Sequence, residues 1–192
     1  MRDPHPVNIP NMGLDEGALS FTVNKLQAAH RQLNAAIWLL FAEHDPLAVL
    51  ALAGNASAVF SDLVALRSPL DSWDNHARQT NELTEQEYFA ILRKGQNFLK
   101  HADRDADAIM TWPTPDTEAI ILVAVLNGGQ LDGNSPWQQV FRSWYFAKHQ
   151  RDLGEDKDFV REAARLFEGI TEMTPVQQRA FGFKMLCEAD SL

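Results

Sequence analysis

The sequence predicts an all-α, single-domain helical bundle of about seven helices. Three observations predict it. Apolar residues recur at three- and four-residue steps through most of the chain. Strand-type alternation is sustained nowhere. The pairs Asp45-Pro46, Thr114-Pro115, Ser135-Pro136 and Thr174-Pro175 each set a capping side chain before a residue suited to the first helical turn. With 192 residues, 45% of them hydrophobic, the chain can fill one sizeable core.

Residues 1–20 are rich in proline, glycine and asparagine and read as a flexible N-terminal arm. Residues 21–192 read as the domain. The first helix starts near Thr22 and carries Leu26, His30, Leu33, Ile37, Leu40 and Phe41 on one stripe. On that stripe His30 reads as a structural, half-buried histidine. The helix stops at Asp45-Pro46, because the residue before proline avoids the α region. The same pair caps the next helix, residues 47–66, which is apolar almost all round. It is therefore the expected central helix, antiparallel to the first.

Residues 68–83 are polar and read as an irregular loop containing Trp73 and His76. Thr84 and Glu87 form a capping box. It opens a helix whose stripe is Tyr88, Ile91, Leu92, Gly95, Phe98, Leu99 and Ala102. Thr114-Pro115 starts a second all-apolar helix, closed by Asn127-Gly128-Gly129. Ser135 and Gln138 form another capping box, ahead of Val140, Phe141, Trp144 and Tyr145. Those rings, with Trp137 and Phe146, read as core, with an aromatic contact surface as the alternative. Asp156 or Asp158 caps a shorter helix, and Thr174 with Gln177 caps the last.

Composition excludes several function classes. Against 17 basic residues stand 26 acidic ones, a net charge of −9. Such a surface repels phosphate backbones, so DNA is not expected as a partner, and RNA would need a local patch that no Lys/Arg run supplies. The single cysteine allows no intramolecular disulfide and fits a reducing, cytoplasmic, bacterial-type setting. The first ten residues have no apolar signal-type run, and residues 119–126, the longest purely apolar run, are too short to span a bilayer. The sequence contains no Gly-x-Gly-x-x-Gly, no phosphate loop and no Gly-x-Ser-x-Gly elbow, so no cofactor is expected.

The densest chemistry lies in residues 96–107, which read Gln-Asn-Phe-Leu-Lys-His-Ala-Asp-Arg-Asp-Ala-Asp. Asp103, Asp105 and Asp107 imitate the start of an EF-hand loop. The pattern then fails, with Ala108 where glycine is needed and Thr114 where a bidentate glutamate is needed. His101 with Asp103 and Asp105 is chemically sensible as a divalent-metal or small-ligand set. Solvation of a helix end explains the same aspartates.

At 100° per residue, Lys94, Asn97 and His101 share one helix face. Histidine can move a proton near neutral pH, asparagine can orient a phosphate or hydroxyl, and lysine can neutralise developing charge. Together they are the candidate catalytic set for a metal-independent ribonuclease. A solvated face is the competing account, with Lys100 and His101 favoured at a helix C-terminus.

Asn97-x-x-x-His101, late in a helix, resembles the signature of HEPN domains. So does the antiparallel opening pair with its Glu43-His44-Asp45-Pro46 turn. The resemblance covers residues 22–105. It implies a helical bundle that often dimerises. Active members place an arginine four to six residues clear of the histidine, at the dimer interface. Those positions here hold Gln96, Gly95 and Lys94, and Arg93 lies one step too far. The resemblance therefore implies a HEPN-like core with a degenerate motif, acting non-catalytically through protein contacts as a homodimer. The phrase Asn-Phe-Leu-Lys-His-Ala-Asp-Arg-Asp also resembles a segment of uncharacterised bacterial proteins.

Overall fold

A computed structural model describes residues 20–101, 103 and 106–190. Nearly all of the expected N-terminal arm, and Asp105 among the candidate ligands, lie outside the described residues. The architecture is all-α, with no strand among the described residues. Among the described residues ten α-helices follow in order: α1 Lys25–Phe41, α2 Pro46–Arg67, α3 Trp73–Thr80, α4 Glu85–Leu92, α5 Lys94–Lys100, α6 Thr114–Gly129, α7 Pro136–Lys148, α8 Gln150–Leu153, α9 Asp158–Leu166 and α10 Pro175–Ala189. Short 3₁₀ turns occupy Pro69–Asp71 and Ile170–Glu172.

Local chemistry sets most boundaries. Asn24 and Gln27 close a capping box on α1. Asp45 accepts from the backbone N–H groups of Leu47 and Ala48 at the start of α2. Capping boxes at Thr84, Ser135 and Thr174 form as the sequence indicates. Two expected caps do not form. Thr114 is the first residue of α6, after an N-cap Pro113 that offers no side-chain acceptor. Lys157, not Asp156 or Asp158, is the N-cap of α9, and Asp158 sits in its first turn.

The extra helices relative to about seven have separate causes. Residues 68–83 are not an irregular loop. Ser72 accepts from the N–H of Asn75 and opens α3, a polar helix whose one buried residue is Asp74. The expected continuous helix after Thr84 breaks at Arg93, whose φ of −95° and ψ of 2° fall outside helical geometry. His149 interrupts the C-terminal end of α7 and leaves α8 as a single turn.

α1 and α2 pair antiparallel and pack more closely than any other two helices, and α6 lies against α2. α7, α9 and α10 complete the second side. The core runs through Leu33, Ile37, Phe41, Phe60, Ile121, Phe141, Trp144 and Phe167, all closed to solvent. Trp137, Phe141 and Trp144 are thus core residues, and α7 offers no aromatic contact surface through them. α2 is long and apolar enough by length and composition to cross a membrane, yet its middle is buried against α1 and α6, and Leu47 and Leu66 near its ends are exposed. His30 is structural. Its Nε2 pairs with Asp132 at 2.7 Å, its Nδ1 meets the side-chain amide of Gln138, and its ring lies edge-on to Phe60.

Candidate functional site

α5 is seated on α2 by reciprocal close contacts. Gly95 and Gln96 are its buried residues. A β-carbon on Gly95 would stand 2.9 Å from Leu50 Cδ2, and one on Gly54 would stand 3.2 Å from Gln96 Cβ. Gln96 donates its side-chain amide to Asn55 Oδ1 at 2.9 Å. The stripe expected to face inward is thus shifted. Gln96 is inside, Ile91 is 61% exposed and Leu99 is 38% exposed. Strict apolar periodicity misses this, because the buried partner is polar and the close approach depends on two glycines.

With Gly95 and Gln96 turned inward, Lys94, Asn97 and His101 turn outward. They line one open groove of about 510 Å³, together with Ala90, Phe98 and the segment 108–111. The expected shared face is therefore present, although His101 has left helical geometry as the C-cap of α5. Lys94 and Asn97 are exposed and His101 is 37% exposed. The far wall carries Ile109, 96% exposed, and Met110, which is partly buried against the core.

Arg93, the arginine nearest His101 among the described residues of this helix pair, is engaged elsewhere. Its Nη2 donates to Asp62 Oδ1 at 3.3 Å, and its guanidinium lies over the Phe89 ring at 4.4 Å. It does not line the groove. Asp103 approaches His101 Nδ1 only to 4.0 Å and is mostly exposed. No group of three or more histidine, cysteine or carboxylate side chains able to hold a metal occurs among the described residues.

Two polar clusters elsewhere escaped sequence reasoning. Asp74, 3% exposed, accepts from the Tyr88 hydroxyl at 2.8 Å and from Asn127 Nδ2 at 2.9 Å. Asn127 Oδ1 in turn accepts from the Trp73 backbone N–H at 3.0 Å. Asn127 is therefore an internal strut of α6, not its terminator, and α6 runs on through Gly129. Burial, reinforced by the Asp74 carboxylate, pushes the Tyr88 phenol far above its ordinary value.

The second cluster joins α6 to the end of α7. Lys148 pairs with the buried Glu118 and lies over the Trp144 ring at 4.8 Å. The Tyr145 and His149 rings lie tilted against each other with centroids 4.4 Å apart. Burial, then the neighbouring Lys148 charge, lowers the His149 imidazole, with Glu118 and Asp152 opposing. Its Nε2 is buried without a hydrogen-bond partner. Both clusters mix residues too far apart in sequence for a short motif to reveal. Comparison with family models, with curated proteins and with solved structures finds no match.

Proposed function

We propose that this chain is a non-catalytic helical protein that works through protein contacts, with the α4–α5 groove as its contact surface and a second copy of itself as the first partner. One observation carries the reading. The groove sets the fully exposed Ile109 beside Lys94, Asn97 and His101, while Arg93, at the start of α5, is held away by Asp62 and Phe89. Exposed aliphatic side chains beside polar hydrogen-bonding groups suit a protein interface, where apolar contact supplies affinity and polar groups fix orientation. Ile91 and Leu99 extend the exposed apolar area on the same two helices. The HEPN-like resemblance points the same way, toward a dimerising bundle with an incomplete catalytic motif.

Proton-NMR spectra over a dilution series test this. Resonances of residues 90–101 and 108–111 should move with concentration while those of α9 stay fixed. A spectrum independent of concentration contradicts self-association.

A second reading has its own support, since Lys94, Asn97 and His101 do line a single groove. In it the chain is a divergent, metal-independent ribonuclease, with His101 moving the proton, Asn97 orienting the phosphate and Lys94 stabilising charge. Single-stranded RNA cleavage by wild type, lost in His101→Ala, would favour it. Equal background from both proteins removes it.

A further inference from the structure

Away from that groove, two open clefts flank the turn between α1 and α2, and Glu43 and His44 line both. One, of about 300 Å³, is polar at its rim, with Arg179, His44, Thr114 and Thr117. The other, of about 420 Å³, is walled by Trp38, Phe41, Ala180 and Phe183. The Trp38 ring stacks on His44 with centroids 5.2 Å apart. An apolar compartment thus adjoins one that holds a guanidinium and hydroxyl groups.

The position a ligand carboxylate would take is filled by the protein itself. Arg179 directs Nε and Nη2, at 2.9 and 2.7 Å, to the same oxygen of Glu43. A guanidinium fork bonds a carboxylate best through two parallel bonds to two oxygens, so this pair uses the fork poorly. Glu43 also reaches Arg179 from a strained backbone, with φ of 55°, a left-handed conformation that favours glycine. A carboxylate that presented both oxygens would make better bonds and would free Glu43 from holding Arg179.

We infer that these adjoining clefts bind a small amphiphilic carboxylate, its apolar body against Trp38, Ala180 and Phe183 and its carboxylate on Arg179 in place of Glu43. The site is separate from the α4–α5 groove, and the inference does not depend on the function proposed for that groove. Glu43 acts as a built-in competitor, so occupancy is coupled to release of the ion pair that ties the α1–α2 turn to α10.

The test uses the full chain with indole-3-acetate as probe and neutral indole-3-acetamide as its isostere, followed by ¹H–¹⁵N shift mapping. The acid should shift Trp38, His44 and Ala180, and the amide should bind about tenfold weaker or worse, the cost of a lost charge-assisted bond. Arg179→Gln should remove the difference between the two probes. Ala180→Trp, at an exposed position, should block both probes without harming the fold. Glu43→Gly should bind the acid several-fold more tightly, because it removes the competitor and relaxes the turn. Equal binding of acid and amide to wild type, shifts mapping elsewhere, or Glu43→Gly binding no tighter than wild type would each overturn the inference.

Discussion

Gly95 brings its backbone so close to Leu50 that a β-carbon there would stand 2.9 Å from Leu50 Cδ2. That contact fixes which side of α5 is inside, and so which side presents Lys94, Asn97 and His101. Gly95→Leu, which adds a full side chain against the buried Leu50 at a cost that exceeds the roughly 1 kcal/mol gained in helix propensity, should therefore lower stability by about 1–3 kcal/mol through overpacking. In urea the midpoint should fall with an unchanged slope. A midpoint within error of wild type would mean that α5 is not seated this way.

The Asp74 node makes a sharper demand. Tyr88→Phe leaves a buried carboxylate oxygen without its donor, so it should cost about 1–3 kcal/mol. Tyr145→Phe, made as a comparison, removes no hydroxyl hydrogen bond to Asp74.

Alkaline pH acts on the same groups. Tyr88 is raised by burial and Asp74, and Tyr145 by burial, then Glu118 and Asp152. These are the chain's two tyrosines. A raised folded value means that the stabilisation is complete below about pH 10 and is lost as pH climbs above it, because the unfolded chain releases the proton first. Absorbance at the phenolate band should then appear late and together with unfolding. A reversible phenolate signal from both tyrosines near the ordinary value, with helicity intact, contradicts the burial of Tyr88 and the partial burial of Tyr145.

His149 behaves with the opposite sign. Its imidazole is lowered by burial and by Lys148. Its share of stability is present above about pH 6.5 and declines as pH falls toward its folded value, because the unfolded chain takes the proton first. His149→Gln should flatten the fall in stability between neutral and mildly acidic pH. An identical slope in the two proteins would show that His149 is not the group responsible.

The buried Glu118 pairs with the partly buried Lys148, so removing one partner should cost more than removing both. Lys148→Met strands a buried carboxylate and should cost about 3–5 kcal/mol. Adding Glu118→Gln should recover much of that loss, since no charge is then left unpaired. Additive losses in the double variant would mean that the two side chains do not interact.

The sequence made four side-chain-capped helix starts legible, while the caps at Asn24 and Ser72 went unread. Asp45, Thr84, Ser135 and Thr174 are each visible as local chemistry and each cap a helix. It hid α3, because that helix buries an aspartate in place of an apolar stripe. It also hid the break at Arg93, because Gly95 two residues on falls in step with the apolar stripe and reads as part of one continuous helix. At the candidate site the shared face of Lys94, Asn97 and His101 was readable from helical spacing alone. The facing wall at residues 108–111 was not, because it depends on how the chain returns after the aspartates. Glu43 in a left-handed turn was equally hidden, since its Arg179 partner lies 136 residues away.

We propose that the α4–α5 groove is a contact surface between copies of this chain. Light-scattering mass across a concentration series, for wild type and Ile109→Asp, tests it most directly. Ile109 is 96% exposed, so the substitution should leave the monomer fold intact. Wild type should approach twice the 21.6 kDa chain mass as concentration rises, and Ile109→Asp should stay at the single-chain mass. A wild type that remains monomeric throughout, or a dimer indifferent to Ile109→Asp, would contradict the account.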